Sequence, residues 1–270
     1  MLMYTNDKQI MERLREHANA VNALGYEWVA VMLQGSQNYG LAYEGSDVDS
    51  KALVLPKFED FVLNRSPASF THVLENNEHV DIKDVRLMFQ CFKKQNINFV
   101  EVLFTDYMLV NPEYSDLFQP MFDNRERIAR YDNWAAMNCL AGMSMEKCKA
   151  LTHPYPTIKW KIDKWGYDGK QLSHIMRVNQ VMKNYVSGLS YKQCLTPYGE
   201  SKVLQLRAKK NEYTLEEAMA LAIEFHEDTM EMKRQYPESN PHFVDAEVEE
   251  EMNNVLLNVL KQSFRKEMMK

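Results

Sequence analysis

The sequence has no long hydrophobic run and few cysteines. No segment of the 270 residues approaches the ~18 consecutive apolar residues that a membrane-spanning helix needs, and the opening MLMYTNDKQIMERLREH is too polar for a signal peptide. The four cysteines lie far apart and form no CxxC pair, which argues against a structural zinc site and against a disulfide framework. We therefore expect a cytoplasmic protein that makes no membrane contact.

Excess positive charge is also lacking. The net charge of −6 argues against a protein that coats nucleic acid without sequence preference, because such binding depends on many contacts of Lys and Arg with phosphate. The charge is uneven, however: residues 147–177 carry seven Lys and Arg against two acids, whereas residues 212–251 carry thirteen acids against two bases. The middle of the chain is therefore the part suited to meet an anion.

The first half of the chain mixes helical and strand patterns. Helical patterns cover residues 7–23, with Thr5 and Asn6 as capping candidates, and residues 85–95, with Asp84 as the cap. Strand patterns occur at three places: 27–34, 47–56 and 79–85. This order predicts a small α+β layer.

Strand signals become rare after about residue 125. Ala- and Met-rich helical patterns follow, and Thr214 with Glu217 forms a capping box that opens a further helix. We therefore predict an α+β protein with a core over residues 1–125, built on a small mixed sheet flanked by helices. A mostly helical domain over residues 126–270 is expected to complete the binding site.

The stretch LQGSQNYGLAYEGSDVDSKALVL, residues 33–55, concentrates the chemistry of the core. Gly35 and Ser36 follow a strand, where exposed amides and a hydroxyl can hold phosphate oxygens and where glycine permits close approach. Asp47 and Asp49 lie two apart, so on a strand they share one face and repel each other unless a cation lies between them. An exposed turn at the start of a strand is the alternative interpretation of this pair.

A bound divalent cation, Mg²⁺ or Mn²⁺, would turn that repulsion into a binding site. A nucleoside triphosphate such as ATP would then place its β and γ phosphates on Gly35 and Ser36 and its α phosphate at the metal. Asp81, on the third predicted strand, is expected to be the third metal ligand, which binds a second metal ion, and the base that takes the proton of an attacking hydroxyl. The alternative for Asp81 is a solvent-facing residue on an edge strand.

Taken together, the Gly-Ser turn, Asp47-x-Asp49 and the following ALVL resemble the DNA polymerase β superfamily of nucleotidyltransferases. With NFVEVLF and GYDGKQLSHIMR downstream, residues 27–190 are more narrowly similar to predicted nucleotidyltransferases of the YcgL type, some of which are associated with RNA ligases. The resemblance implies a polymerase β-like core and metal-dependent transfer of a nucleoside monophosphate to a hydroxyl, with release of pyrophosphate. Ser50-Lys51 departs from the residues common after the second aspartate, which puts specificity in question.

A second candidate cluster lies in the helical half. Lys170, His174 and Arg177 are spaced i, i+4, i+7, so they share one helix face and could hold phosphate oxygens of the triphosphate or of the acceptor. The alternative is a solvated helix face with a salt bridge to Asp168. The resemblance of this segment to the family favours nucleotide binding.

The acceptor stays open among an RNA end, a protein hydroxyl and a small sugar or antibiotic alcohol. Aromatic residues interleave with lysines in one basic segment, which suits base stacking and favours RNA slightly, although an aromatic hinge has the same pattern. These residues are Tyr155, Trp160, Trp165 and Tyr167. Two other classes of function remain: a non-catalytic nucleotide-binding sensor, and a toxin–antitoxin-type protein that nucleotidylates or binds a partner protein. The complete carboxylate set favours catalysis over the sensor.

Overall fold

The computed structural model describes residues 7–42 and 46–269 and has an α+β architecture. The strands are β1 (Trp28–Gln34), β2 (Asp49–Val54), β3 (Ser69–Val73), β4 (His79–Asp84) and β5 (Met108–Val110). The helices are α1 (Asp7–Ala23), α2 (Phe58–Val62), α3 (Val85–Lys93), α4 (Ile97–Val100), α5 (Ser115–Asp123), α6 (Arg125–Ile128), α7 (Asn133–Ala150), α8 (Lys159–Trp165), α9 (Gly169–Val186), α10 (Tyr191–Leu195), α11 (Gly199–Lys209), α12 (Leu215–Ser239) and α13 (Ala246–Met268). The predicted fold class, α+β with a small mixed sheet and many helices, is confirmed. The capping candidates Thr5 and Asn6 lie outside the described residues.

The five strands form one sheet in the order β3-β4-β2-β1-β5. The β2–β4 pair is parallel and the other three pairs are antiparallel, so the sheet is mixed and β2 is its central strand. The predicted second strand over 47–56 is shorter in the structure, because pairing with β1 starts only at Asp49 opposite Gln34. Asp47 therefore lies in the loop before the strand.

Helix α1 covers one face of this sheet. Its stripe of Ile10, Leu14, Ala18 and Val21 is buried, with 4% exposure or less. The stripe packs against alternate residues of the central strands: Val31, Leu33, Ala52, Val54, Val80 and Ile82. Since successive strand residues point to opposite faces, Asp49, Lys51 and Asp81 belong to the face that α1 does not cover.

The chain divides into two compact units, which differ from the predicted domains 1–125 and 126–270. One unit runs up to residue 131 and also contains the residues from Val244 onward, and the other is Asp132–Phe243. The difference arises from α13, whose apolar stripe is buried and which packs against α3, α5 and α6. Sequence position alone does not reveal which core an amphipathic helix will cover.

The second unit is helical and is organised around α9. Helices α7, α10, α11 and α12 all contact α9, and α9 approaches α11 so closely that a Cβ atom on Gly169 would lie 2.0 Å from the carbonyl oxygen of Ala208. The predicted capping box of Thr214 and Glu217 is present at the start of α12. Within the described part of the chain, no helix is long and apolar enough to span a bilayer.

Candidate active site

The Gly-Ser turn follows β1 directly and is braced by side chains. Gly35 has φ 81° and ψ −156°, a conformation that L residues other than glycine rarely adopt. Apart from its chain neighbours, no heavy atom of residues 7–42 and 46–269 lies within 4 Å of where its Cβ would be. Ser36 begins a single 3-10 turn that ends at Tyr39. Asn38 holds this turn, because its Nδ2 donates to the carbonyl oxygen of Leu33 at 2.7 Å while its Oδ1 accepts from Thr105 at 2.6 Å. These contacts hold the backbone that follows Gly35 in place.

Asp47 and Asp49 flank a buried anchor. Val48, between them, is 3% exposed and belongs to the core beneath α1. Asp47 is exposed, and Asp49 is partly exposed, with 31% of its side-chain surface accessible to solvent. The backbone N–H of His79 donates to Asp49 Oδ1 at 3.0 Å, and the imidazole Nδ1 of His79 lies 3.2 Å from the same oxygen. The neighbouring strand therefore orients the Asp49 carboxylate, and both aspartates stay within reach of a cation from solvent.

Asp81 is placed differently from the sequence expectation. Strand β4 lies between β2 and β3, so the edge-strand alternative for Asp81 is wrong. The register sets Asp81 opposite Lys51, and Lys51 Nζ lies 2.5 Å from Asp81 Oδ2. Among residues 7–42 and 46–269, no three His, Cys, Asp or Glu side chains are arranged to hold a metal ion. The role of Asp81 as third ligand and base stays a prediction, and its nearest charged partner is an ammonium group.

A buried polar network supports the aspartates from the other face of the sheet. His17, fully buried on α1, has its Nδ1 2.8 Å from Ser50 Oγ and its Nε2 3.0 Å from Glu78 Oε2. Arg13 Nε donates to the same Glu78 oxygen at 2.8 Å, and Glu78 Oε1 accepts from the Val48 N–H at 3.4 Å. Burial lowers the pKa of His17 below its ordinary value, although Glu78 acts in the opposite direction. This network was not predicted, but one signal was present: His17 lies within the apolar stripe of α1.

The predicted basic cluster lies in the second unit and is more buried than expected. Arg177 is 8% exposed and His174 is half-buried, because α7 and α11 pack against α9. Burial, with the charges of Arg177, Lys170, Lys147 and Lys209, lowers the pKa of His174 to about 3. The structure thus adds one lysine from α7 and one from α11 to the predicted set. That Lys170, His174 and Arg177 bind a nucleotide stays a prediction.

The salt bridge to Asp168, suggested as an alternative for this helix face, forms with a lysine outside the predicted cluster. Asp168 is 1% exposed and caps α9 by accepting from the Lys170 N–H at 3.2 Å, while its ionic partner is Lys161, also at 3.2 Å. Of the four aromatic residues in the basic segment, Tyr155 and Trp160 are exposed, whereas Tyr167 is fully buried in the helical core. The aromatic segment therefore combines two exposed rings with a core residue.

Glu101 is a polar residue inside the apolar run NFVEVLF. It lies in a 3-10 turn, Glu101–Phe104, and is 5% exposed. From the sequence alone, Glu101 either pairs with a basic side chain near the site or lies on an exposed turn, and its burial excludes the exposed turn.

No protein-family model matches the chain, and a search of curated proteins gives no significant match.

Proposed function

We propose that the chain is a nucleotidyltransferase that moves a nucleoside monophosphate from a nucleoside triphosphate to a hydroxyl and releases pyrophosphate. One observation carries this proposal: Gln34, the last residue of β1, pairs with Asp49, the first residue of β2. The strand pairing therefore brings the Gly35-Ser36 turn next to the Asp47–Asp49 segment. A phosphate-binding turn beside paired carboxylates is the arrangement that triphosphate binding with a divalent cation requires.

Asp47 and Asp49 fit the ligand set of Mg²⁺ or Mn²⁺, which prefer carboxylate oxygens. Their fit is supported by the exposure of both side chains and by the His79 N–H that orients Asp49. When bound, the cation would neutralise charge on the triphosphate and on the leaving pyrophosphate. Gly35 and Ser36 would contact the β and γ phosphates through backbone N–H groups and the hydroxyl.

The acceptor half of the reaction stays a set of proposals. Asp81 would take the proton of the attacking hydroxyl, but it would do so while paired with Lys51. The cluster of Lys170, His174 and Arg177 would bind phosphate oxygens of the nucleotide or of the acceptor. RNA remains the favoured acceptor because Tyr155 and Trp160 are exposed within the basic segment.

A second candidate function is a nucleotide-binding sensor without catalysis. The observation that favours it is the Lys51–Asp81 ion pair, since an ammonium 2.5 Å from Asp81 Oδ2 already contacts the oxygen that would accept the proton of an attacking hydroxyl. A sensor would keep the Gly-Ser turn and the aspartate pair for binding, and it would release no pyrophosphate.

The two candidates are separated by a transfer assay. Each α-labelled nucleoside triphosphate is offered with Mg²⁺ or Mn²⁺ to pools of RNA, protein and small alcohols. We expect label transfer by the wild-type protein and none by the Asp47→Asn/Asp49→Asn variant. A matched control, Asp116→Asn/Asp123→Asn, removes the same charge from two exposed positions and should transfer label normally.

Two results would change the assignment. Transfer that survives in the Asp47→Asn/Asp49→Asn variant would refute the mechanism. ATP binding that depends on Asp47 and Asp49 but leads to no transfer into any pool would favour the sensor.

A further inference from the structure

Lys51 is a buried ammonium on the same sheet face as the candidate metal ligands. The residue is 5% exposed and lies on the central strand β2, two residues after Asp49. Its Nζ is 2.5 Å from Asp81 Oδ2 and 4.4 Å from the centre of the Phe99 ring on α4. A carboxylate and an aromatic face both stabilise a desolvated ammonium, so these two contacts fix the position of the Lys51 side chain.

The position of Lys51 conflicts with a site for two divalent cations. In such a site Asp81 would bind the second metal ion, which would then lie on a carboxylate that already binds an ammonium. Two residues along a strand advance only ~6.7 Å, so the backbone position of Lys51 is also close to that of Asp49. Repulsion between like charges at such short range is strong where water is excluded.

With Lys51 included, the charges of the protein groups at the site are balanced by one divalent cation. Three carboxylates, from Asp47, Asp49 and Asp81, contribute three negative charges, and the Lys51 ammonium contributes one positive charge. The remaining charge of minus two equals that of one divalent cation with opposite sign. Without Lys51, one divalent cation would leave a carboxylate uncompensated.

We propose that Lys51 supplies the second positive charge of the site as a fixed ammonium, so that the protein binds one divalent cation, at Asp47 and Asp49, and not two. This inference rests on the proposed function, because it assumes that the aspartate pair binds a metal ion. Asp81 is then the anchor of Lys51 and takes no part in binding a metal ion. The ammonium would supply there the charge stabilisation that a second metal ion would otherwise give to a bound triphosphate.

The number of bound Mn²⁺ ions tests this proposal directly. The full chain is titrated with Mn²⁺ in the presence of α,β-methylene-ATP, and free Mn²⁺ is measured by electron paramagnetic resonance. We expect one Mn²⁺ per chain for the wild type and for Lys51→Arg, which keeps the charge. Lys51→Gln should bind two, and Lys51→Gln/Asp81→Asn should return to one, which assigns the second ion to Asp81.

A matched control uses the neighbouring lysine. Lys83 lies 5.4 Å from the centre of the same Phe99 ring, but its Nζ donates to Ser69 Oγ. Lys83→Gln therefore removes an equal charge beside the same aromatic residue without releasing Asp81. We expect this variant to bind one Mn²⁺.

The possible results separate this inference from the proposed function. Two Mn²⁺ ions on the wild type would overturn the inference alone, and so would a single ion on a Lys51→Gln variant that keeps the wild-type circular dichroism spectrum. No Mn²⁺ binding by the wild type, or unchanged binding by Asp49→Asn, would overturn the proposed function as well. The wild-type titration decides even where Lys51→Gln fails to fold.

Discussion

Replacement of Glu78 should weaken the first unit strongly, because this carboxylate joins α1 to the segment that carries the aspartates. Glu78 is 8% exposed and accepts hydrogen bonds from Arg13 and from the Val48 N–H, with His17 Nε2 at 3.0 Å. Removing one partner of a buried ion pair costs roughly 3–5 kcal/mol. Arg13 is partly exposed and also reaches Glu16 at 2.5 Å, so it keeps a partner after the change. We therefore expect Glu78→Ala to lower the free energy of unfolding by about 3 kcal/mol, at the lower end of that range.

The assay must report on the first unit alone, since the chain has two units that could unfold separately. Hydrogen exchange of peptides that cover β2, measured as a function of urea concentration, meets this need. Glu75→Ala is the control, because Glu75 is exposed in the same loop and its loss should cost less than about 0.5 kcal/mol. If Glu78→Ala and Glu75→Ala are equally stable, the network does not hold the aspartate segment.

Two further predictions concern the second unit. Because the pKa of His174 is about 3 in the folded state and about 6.5 in an unfolded chain, the unfolded chain binds more protons below pH 6.5. The free energy of unfolding of this unit should therefore fall by about 2 kcal/mol between pH 6.5 and pH 5. In urea unfolding experiments, the His174→Gln variant should not show this fall. An unchanged pH dependence in the variant would assign the fall to other groups. Asp168→Ala removes the α9 cap and the partner of Lys161, so thermal unfolding should show a loss of roughly 2 kcal/mol. Exposed Asp163→Ala is its control, and equal melting temperatures of the two variants would contradict the predicted role.

The parts of the fold that the sequence predicted are those with a complete local pattern. Helix α1 has an unbroken apolar stripe, and α12 begins with a full capping box, so each could be placed without knowledge of distant residues. Strands β3 and β5 were not predicted, each for a different reason. The residues of β3 are mostly exposed at the sheet edge and show no apolar alternation, whereas β5 has only three residues.

The site was predictable only in part, because its pairings depend on the register of strands far apart in the chain. Asp47 and Asp49 are adjacent to a buried strand, and their spacing alone suggested a cation site. The Lys51–Asp81 ion pair joins residues 30 positions apart, and no local pattern reveals that the parallel register of β2 and β4 sets them side by side. The same holds for His17, whose polar partners come from a strand and from a loop residue.

Strand β2 shows how closely support and chemistry are combined. Three successive residues, Asp49, Ser50 and Lys51, alternate between the two faces of the sheet: Ser50 faces His17 under α1, and its neighbours face the candidate site. A shift of the β2–β4 register by one residue would move Ser50 to the site and bury both charged residues against the apolar stripe of α1. The burial of α1 therefore selects the register that also aligns Lys51 with Asp81. The stability of the sheet and the charge balance of the site thus depend on the same strand pairing.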